Sequence, residues 1–192
     1  TLVRMAGRKP VLTYHCDLQM PPVWYGRLVD RLTYWDNLVA GTLAETIVAY
    51  TDDFAQHSPF LRRFYRGRRD KVRVILPPVV IPDPTPEGTA AMRERAGLRP
   101  GMKAIGFAAR FAYEKGAGYL INAIPYILKE HPEVRLLFAG PYENVIGETI
   151  WHDMQPLIRE YKDHLCFLGT LSPREMADFF ASCDVVTVPS IN

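Results

Sequence analysis

Gly106-Phe107-Ala108-Ala109-Arg110-Phe111-Ala112-Tyr113-Glu114-Lys115-Gly116 follows the apolar run of residues 104–107 and precedes a helical pattern, Tyr119-Leu120-Ile121-Asn122-Ala123-Ile124. Two cations five residues apart therefore stand in a strand-to-helix turn, the place where an open α/β sheet binds its ligands. Arginine offers a planar fork of donors and lysine a compact point charge, a pair that suits a diphosphate. At an effective dielectric near 20, each cation close to a phosphate oxygen contributes roughly 4 kcal/mol before desolvation. The competing reading is a pair of solvated surface charges.

Downstream of this turn the strand-and-helix alternation continues. Residues 134–139, 165–168 and 185–188 read as further strands, with helices between them. Ser172-Pro173-Arg174-Glu175 is a helix start, with Ser as cap, Pro at the first helical position and Glu closing a capping box. Trp151, Met154, Ile158 and Tyr161 form a buried stripe with a kink expected at Pro156. Alternating strands and helices imply parallel pairing with right-handed crossovers, hence a Rossmann-like domain. The absence of G-x-G-x-x-G leaves little support for a nicotinamide or flavin cofactor.

Upstream, residues 77–86 hold five prolines in ten, too many for a helix or central strand, and read as a stiff extended linker. The expected domain boundary lies there, between residues 1–82 and 83–192. The first part reads as strand 11–14 ending at His15, a helix over 23–39, strand 46–50, a helix capped by Thr51-Asp52-Asp53 and limited by Pro59, and strand 72–76. Trp24, Leu28, Leu32, Trp35 and Val39 fall near one face of the first helix.

Composition is that of a globular chain: 192 residues, 48% hydrophobic, 23% charged, net charge +2. The balance gives no sign of a polyanionic partner, and no recognisable motif supports nucleic acid. Residues 1–82 hold 12 Lys and Arg against 7 acidic residues, whereas residues 83–192 hold 11 against 14. Much of the excess lies in Arg62, Arg63, Arg66, Arg68, Arg69, Lys71 and Arg73. The two readings are a solvated helix end and a peripheral contact with anionic lipid, worth about 1 kcal/mol per cation. Cys16, Cys166 and Cys183 form no C-x-x-C pair and read as buried thiols in a reducing, cytoplasmic compartment. No apolar run reaches the ~20 residues of a bilayer span, and no leader is expected at Thr1. The lack of an initiator Met suggests a chain starting in mid-gene.

Taken in order, these landmarks resemble the retaining family 4 (group 1) glycosyltransferases of GT-B fold. They are Leu12-Thr13-Tyr14-His15, Ile47-Val48-Ala49-Tyr50-Thr51-Asp52, the proline linker, the Gly106/Arg110/Lys115-Gly116 turn and Leu137-Phe138-Ala139-Gly140. Cys166-Phe167-Leu168-Gly169, the 172–175 cap and Asp184-Val185-Val186-Thr187-Val188-Pro189-Ser190 complete the series. The resemblance implies two Rossmann-like domains across a cleft, both incomplete in this chain, with the nucleotide sugar, UDP- or GDP-linked, held by the second. It implies that Arg110 and Lys115 grip the donor diphosphate and stabilise the leaving nucleotide without a metal or cofactor. Gly106 and Gly116 would admit phosphate to the backbone. Gly140, Pro141 and Tyr142 would line the cleft, and Gly169, Thr170 and Leu171 would lie near the base.

His15 matches the family's histidine near the reacting sugar, able to donate a hydrogen bond or exchange a proton. Asp17 is a candidate contact on the acceptor side, or a turn residue. Cys16 lies on the opposite side of the strand from His15 and is not read as a nucleophile.

Two departures accompany the match. Leu76-Pro77-Pro78-Val79 stands where many relatives have Pro-Asn-Gly, and the two glutamates that follow residue 190 in relatives lie outside this chain. The expected whole is a glycosyltransferase of glycan, glycolipid or polysaccharide biosynthesis, with the 192 residues by themselves nearly inactive. The alternatives are a nucleotide-sugar epimerase or phosphorylase of the same fold, or an inactive nucleotide-binding module.

Overall fold

In a computed structural model, which describes residues 6–18, 20, 23–80 and 82–190, the alternation of strands and helices folds as two compact units, Thr1–Val79 and Val80–Asn192. Each is built on its own parallel sheet.

The first unit orders its strands β1 (Val11–Thr13), β2 (Thr46–Ala49) and β3 (Val72–Val74) side by side in chain order. Among the described residues the α-helices α1 (Trp24–Leu43), α2 (Asp52–His57) and α3 (Leu61–Gly67) connect them. Thr51 caps α2 by accepting the Phe54 amide, and Pro59 falls in the break before α3. The core gathers Ile47, Ala49, Ala55, Phe60, Leu61 and Val72. Gly41 of α1 lets the helix sit against the Phe60 and Phe64 rings, where a Cβ would approach to 2.9 Å.

The apolar face that periodicity marks on α1 is not the one this unit buries. Trp24, Leu28, Leu32, Trp35 and Val39 are exposed by 51–80%, and the helix buries Gly26, Leu38 and Gly41 instead. Amphipathic periodicity identified a helix but not which side meets this core.

The second unit orders its strands β6 (Leu165–Gly169), β5 (Val134–Ala139), β4 (Lys103–Ala108) and β7 (Val185–Thr187). Strand alternation sends Leu136 and Phe138 to one face and Leu137 and Ala139 to the other. The first face packs with Phe107, Ile121 and Ile124 under α5 (Ala117–Glu130). The second packs with Met92 of α4 (Pro86–Arg95), Ala96 just after that helix, and Phe179 of α8 (Pro173–Ser182). Helices on both faces of a parallel sheet make a doubly wound unit.

The proline segment is shorter than expected. Pro86 opens α4 at a position where a missing amide costs nothing, Thr85 caps it, and Asp178 accepts the Thr85 amide at 3.0 Å. Ile81 of the expected linker lies outside the described residues. The expected kink at Pro156 is a break at Met154 between α6 (Ile150–Asp153) and α7 (Gln155–Glu160). The capping box at Ser172 and Glu175 forms as read.

Candidate functional site

In the second unit the loops that leave the C-terminal ends of the strands lock together through backbone. Ala109 N–H donates to Ala139 O at 3.0 Å, Phe111 N–H to Pro141 O at 2.9 Å, and Gly140 N–H to Gly169 O at 2.8 Å. Two glycines permit the approach. Gly140, at φ 127°, would place a Cβ 2.3 Å from Ala109 O, and Gly116, at φ 75°, would place one 2.0 Å from Pro189 O. No L side chain tolerates either contact.

Within this frame the Arg110 to Lys115 turn is anchored from inside. Phe111 and Ala112 are buried, and the Phe111 ring meets Phe138, Trp151 and Phe167 at centroid distances of 5.8 to 5.9 Å. Arg110, exposed, and Lys115, half-buried, stand on either side of that anchor. Residues 113–115 form a short 3-10 turn that runs into α5, whose start carries no side-chain cap. Helix dipole and uncapped amides thus face the same loop as the two cations.

Acidic groups share the loop. Glu114 accepts a hydrogen bond from Arg110 Nη2 at 2.7 Å, and Glu148 accepts the Tyr113 amide at 3.1 Å. The Tyr113 hydroxyl donates to Asp153, which also accepts from Thr149 at 2.9 Å. That bond raises the Tyr113 hydroxyl above its ordinary value and, with Thr149, lowers the Asp153 carboxyl.

Two expected site residues have structural duties. Gly106 lies inside β4, and a Cβ there would meet Cys183 Sγ at 2.6 Å and Phe179 at 3.1 Å. Its missing side chain serves the packing of α8 on the sheet. Tyr142 stacks into an aromatic cluster, 4.9 Å from Trp151 and 5.1 Å from Phe167, and is half-buried. Leu171 leans on the α4/α8 core, while Pro141 and Thr170 are exposed.

In the first unit His15 and Asp17 follow β1. The Tyr50 hydroxyl is hydrogen-bonded to His15 Nδ1, a partner that no motif announced. Asp17 Oδ1 accepts from Tyr14 Oη at 3.0 Å and from Ser58 Oγ at 2.8 Å. Burial first, then this bond to Asp17, raises the Tyr14 hydroxyl well above its ordinary value. Beside them lies a cavity of about 290 Å³ lined by Tyr14, Asp17, Asp30, Arg31, Tyr34 and Asn37 among others.

The basic segment is only partly free. Lys71 is buried and donates to Thr42 O at 2.8 Å. Arg69 pairs with Asp52 at 3.0 Å and lies over the Tyr65 ring. Arg62, Arg63, Arg66, Arg68 and Arg73 are exposed. Cys16 is exposed, against expectation, because it falls beyond the end of β1, outside the sheet. Among the described residues no helix is long and apolar enough to cross a membrane.

Comparison with solved structures defines the class. Anabaena HepE, solved in complex with UDP and glucose, superposes on 98% of this chain with a TM-score of 0.72 at 19% identity, the match covering 48% of HepE. The fold is that of the GT-B glycosyltransferases. Residues 102–192 match the family described as glycosyl transferases group 1. The D-inositol 3-phosphate glycosyltransferase of Stackebrandtia nassauensis is 32% identical over 159 residues, which are 77% of this chain and 35% of that enzyme. The alpha-monoglucosyldiacylglycerol synthase of Streptococcus pneumoniae is 30% identical over 105 residues, 54% of this chain and 22% of the synthase. Residues 102–192 form a group 1 glycosyltransferase domain, and the chain spans about a third of the length of the D-inositol 3-phosphate glycosyltransferases it matches.

Proposed function

We propose that this chain forms part of a nucleotide-sugar-dependent glycosyltransferase that retains anomeric configuration, with its donor diphosphate held by Arg110 and Lys115. The observation that carries the reading is the anchored turn. Phe111 in the core and Gly116 against Pro189 hold the loop, so its two cations are presented at the strand ends with little freedom left to lose. Fixed cations at a leaving diphosphate stabilise the charge that builds as the glycosidic bond breaks. Residues 83–192 are then the donor side and residues 1–82 the acceptor side. Gly116, Gly140, Pro141, Tyr142, Gly169, Thr170 and Leu171 surround the donor, Gly106 supports its floor, and the clamp needs no metal.

His15 serves the reacting sugar in this reading. The cavity beside Tyr14 and Asp17, with Arg31 and Asn37 in its wall, is suited to a hydroxyl-rich or anionic acceptor. UDP in Anabaena HepE supports a uridine donor, and a GDP-mannose-dependent relative in Corynebacterium glutamicum supports a guanosine one. A glycolipid acceptor at the inner membrane face has its own support. The exposed apolar side of α1 runs down to a groove that Trp35 and Val39 share with Arg63.

Titration of the chain with UDP and GDP tests the clamp. Arg110→Ala and Lys115→Ala are each expected to weaken binding at least about tenfold, as loss of a charge-assisted contact of ~1.5–3 kcal/mol requires. Unchanged affinity in both variants rejects the assignment. Product analysis with the longer enzyme separates transfer from epimerisation or phosphorolysis, and unchanged turnover in His15→Ala would remove that residue's role.

A further inference from the structure

We infer that Tyr50 is a positioning residue for His15, holding the imidazole by Nδ1 so that Nε2–H is left as its free donor. The inference rests on the reading of His15 as the histidine that serves the reacting sugar.

Register brings the two together before any side chain is considered. In the parallel β1/β2 pair Leu12 lies opposite Ile47 and Thr13 opposite Val48. The Tyr14 amide continues the ladder by donating to Val48 O at 2.9 Å. Two residues further on, the same register sets His15 beside Tyr50 at the C-terminal end of the sheet. There the hydroxyl is hydrogen-bonded to Nδ1, and the rings meet edge-on at 77° with centroids 5.1 Å apart.

The two partners are not equally constrained. Tyr50 follows Ala49, which is fully buried and accepts the Ile75 amide at 2.9 Å, and precedes Thr51, the cap of α2. Its backbone is therefore tied to a strand on one side and a helix start on the other. His15 sits in an irregular stretch, exposed, between Tyr14 and Asp17, whose side chains bond to each other. Orientation thus passes from Tyr50 to His15.

The proposed direction has the hydroxyl donating and Nδ1 accepting. A neutral imidazole has one N–H and one bare nitrogen, and a phenol keeps its proton at neutral pH. A phenol donating to Nδ1 selects the tautomer with the proton on Nε2. That nitrogen can then donate to a sugar hydroxyl without first exchanging its proton or turning its ring. Position 50 carries no chemistry in any motif reading, so this role was invisible before the strands were paired.

Nitrogen NMR on the uniformly ¹⁵N-labelled 192-residue chain, at a pH where His15 is neutral, measures the tautomer directly. The expected wild-type pattern is dominated by Nε2–H, with Nδ1 at the shift of an unprotonated acceptor. Tyr50→Phe, which keeps the ring and removes only the hydroxyl, is expected to lower the Nε2–H to Nδ1–H ratio by about two- to tenfold, the loss of one hydrogen bond. Equal ratios in the two proteins overturn the inference. So does a wild-type spectrum dominated by Nδ1–H, a result that stands even if Tyr50→Phe fails to fold. Because turnover plays no part in this measurement, its failure is distinct from that of the His15 reading, which the His15→Ala enzyme decides.

Discussion

Gly116 shows how much a single position can carry. Its φ of 75° lies in the left-handed region, and the Pro189 carbonyl occupies the space a methyl would need. Gly116→Ala is therefore expected to destabilise the chain by about 1–3 kcal/mol. A urea unfolding midpoint at the wild-type value would show that the 109–116 loop and the segment after β7 do not meet as described. In the sequence Gly116 and Gly106 read alike, as glycines that admit phosphate to the backbone. The difference is tertiary: one meets a carbonyl from a distant loop, the other a helix through Cys183 and Phe179. Glu114 lies between the two cations in the sequence, and the folded turn pairs it with Arg110.

A diphosphate arriving at Arg110 competes with that carboxylate. Both partners of the pair are partly exposed, so water screens the attraction and its worth is modest. Glu114→Gln is expected to tighten UDP or GDP binding by about two- to fivefold at low salt, read by calorimetric titration. Weaker binding in that variant would mean that Glu114 supports the nucleotide rather than competing with it.

At the scale of the elements, β7 joins β4 through Asp184. Its carboxylate takes Lys103 Nζ at 2.9 Å and the Ala104 amide at 2.8 Å. The hydrogen bond from Lys103 first, then the Ala104 amide, lowers the Asp184 carboxyl below the usual value. A carboxylate so lowered contributes stability that is complete above its unfolded value, near 3.9, and is lost as pH falls through its folded value. Asp184→Asn is expected to cost about 1 kcal/mol at pH 7, with the deficit shrinking toward pH 2 in urea unfolding. A deficit independent of pH would show that packing, not charge, makes the junction. Elements whose signals are local were readable: the Ser172 capping box, Thr51 as a cap and the strands at 134–139 depend on neighbours in the chain. Helix α4 was missed because the prolines of residues 77–86 were read together as one linker, although Pro86 occupies the helical turn that accepts a proline.

For the whole molecule the exposed side of α1 matters most. Trp24, Leu28, Leu32, Trp35 and Val39 stand in solvent beside a segment with six exposed arginines, a combination suited to an anionic bilayer surface. Vesicles containing about 30% phosphatidylglycerol, with the cationic attraction of ~1 kcal/mol per residue, are expected to retain the chain, and Leu28→Asp with Leu32→Asp to release it. Equal retention on zwitterionic vesicles, or no loss in the double variant, would set the lipid reading aside. The amino-acid sequence by itself determined the class of fold, because strand and helix periods, caps and turn residues are encoded within a few neighbours. It also singled out the Arg110/Lys115 turn, whose context is local. Only the tertiary structure decided which face of α1 is buried, that Gly106 serves a helix, that Glu114 occupies Arg110 and that Tyr50 holds His15. Those facts depend on strand register and on contacts between residues far apart in the chain, and no local pattern encodes them.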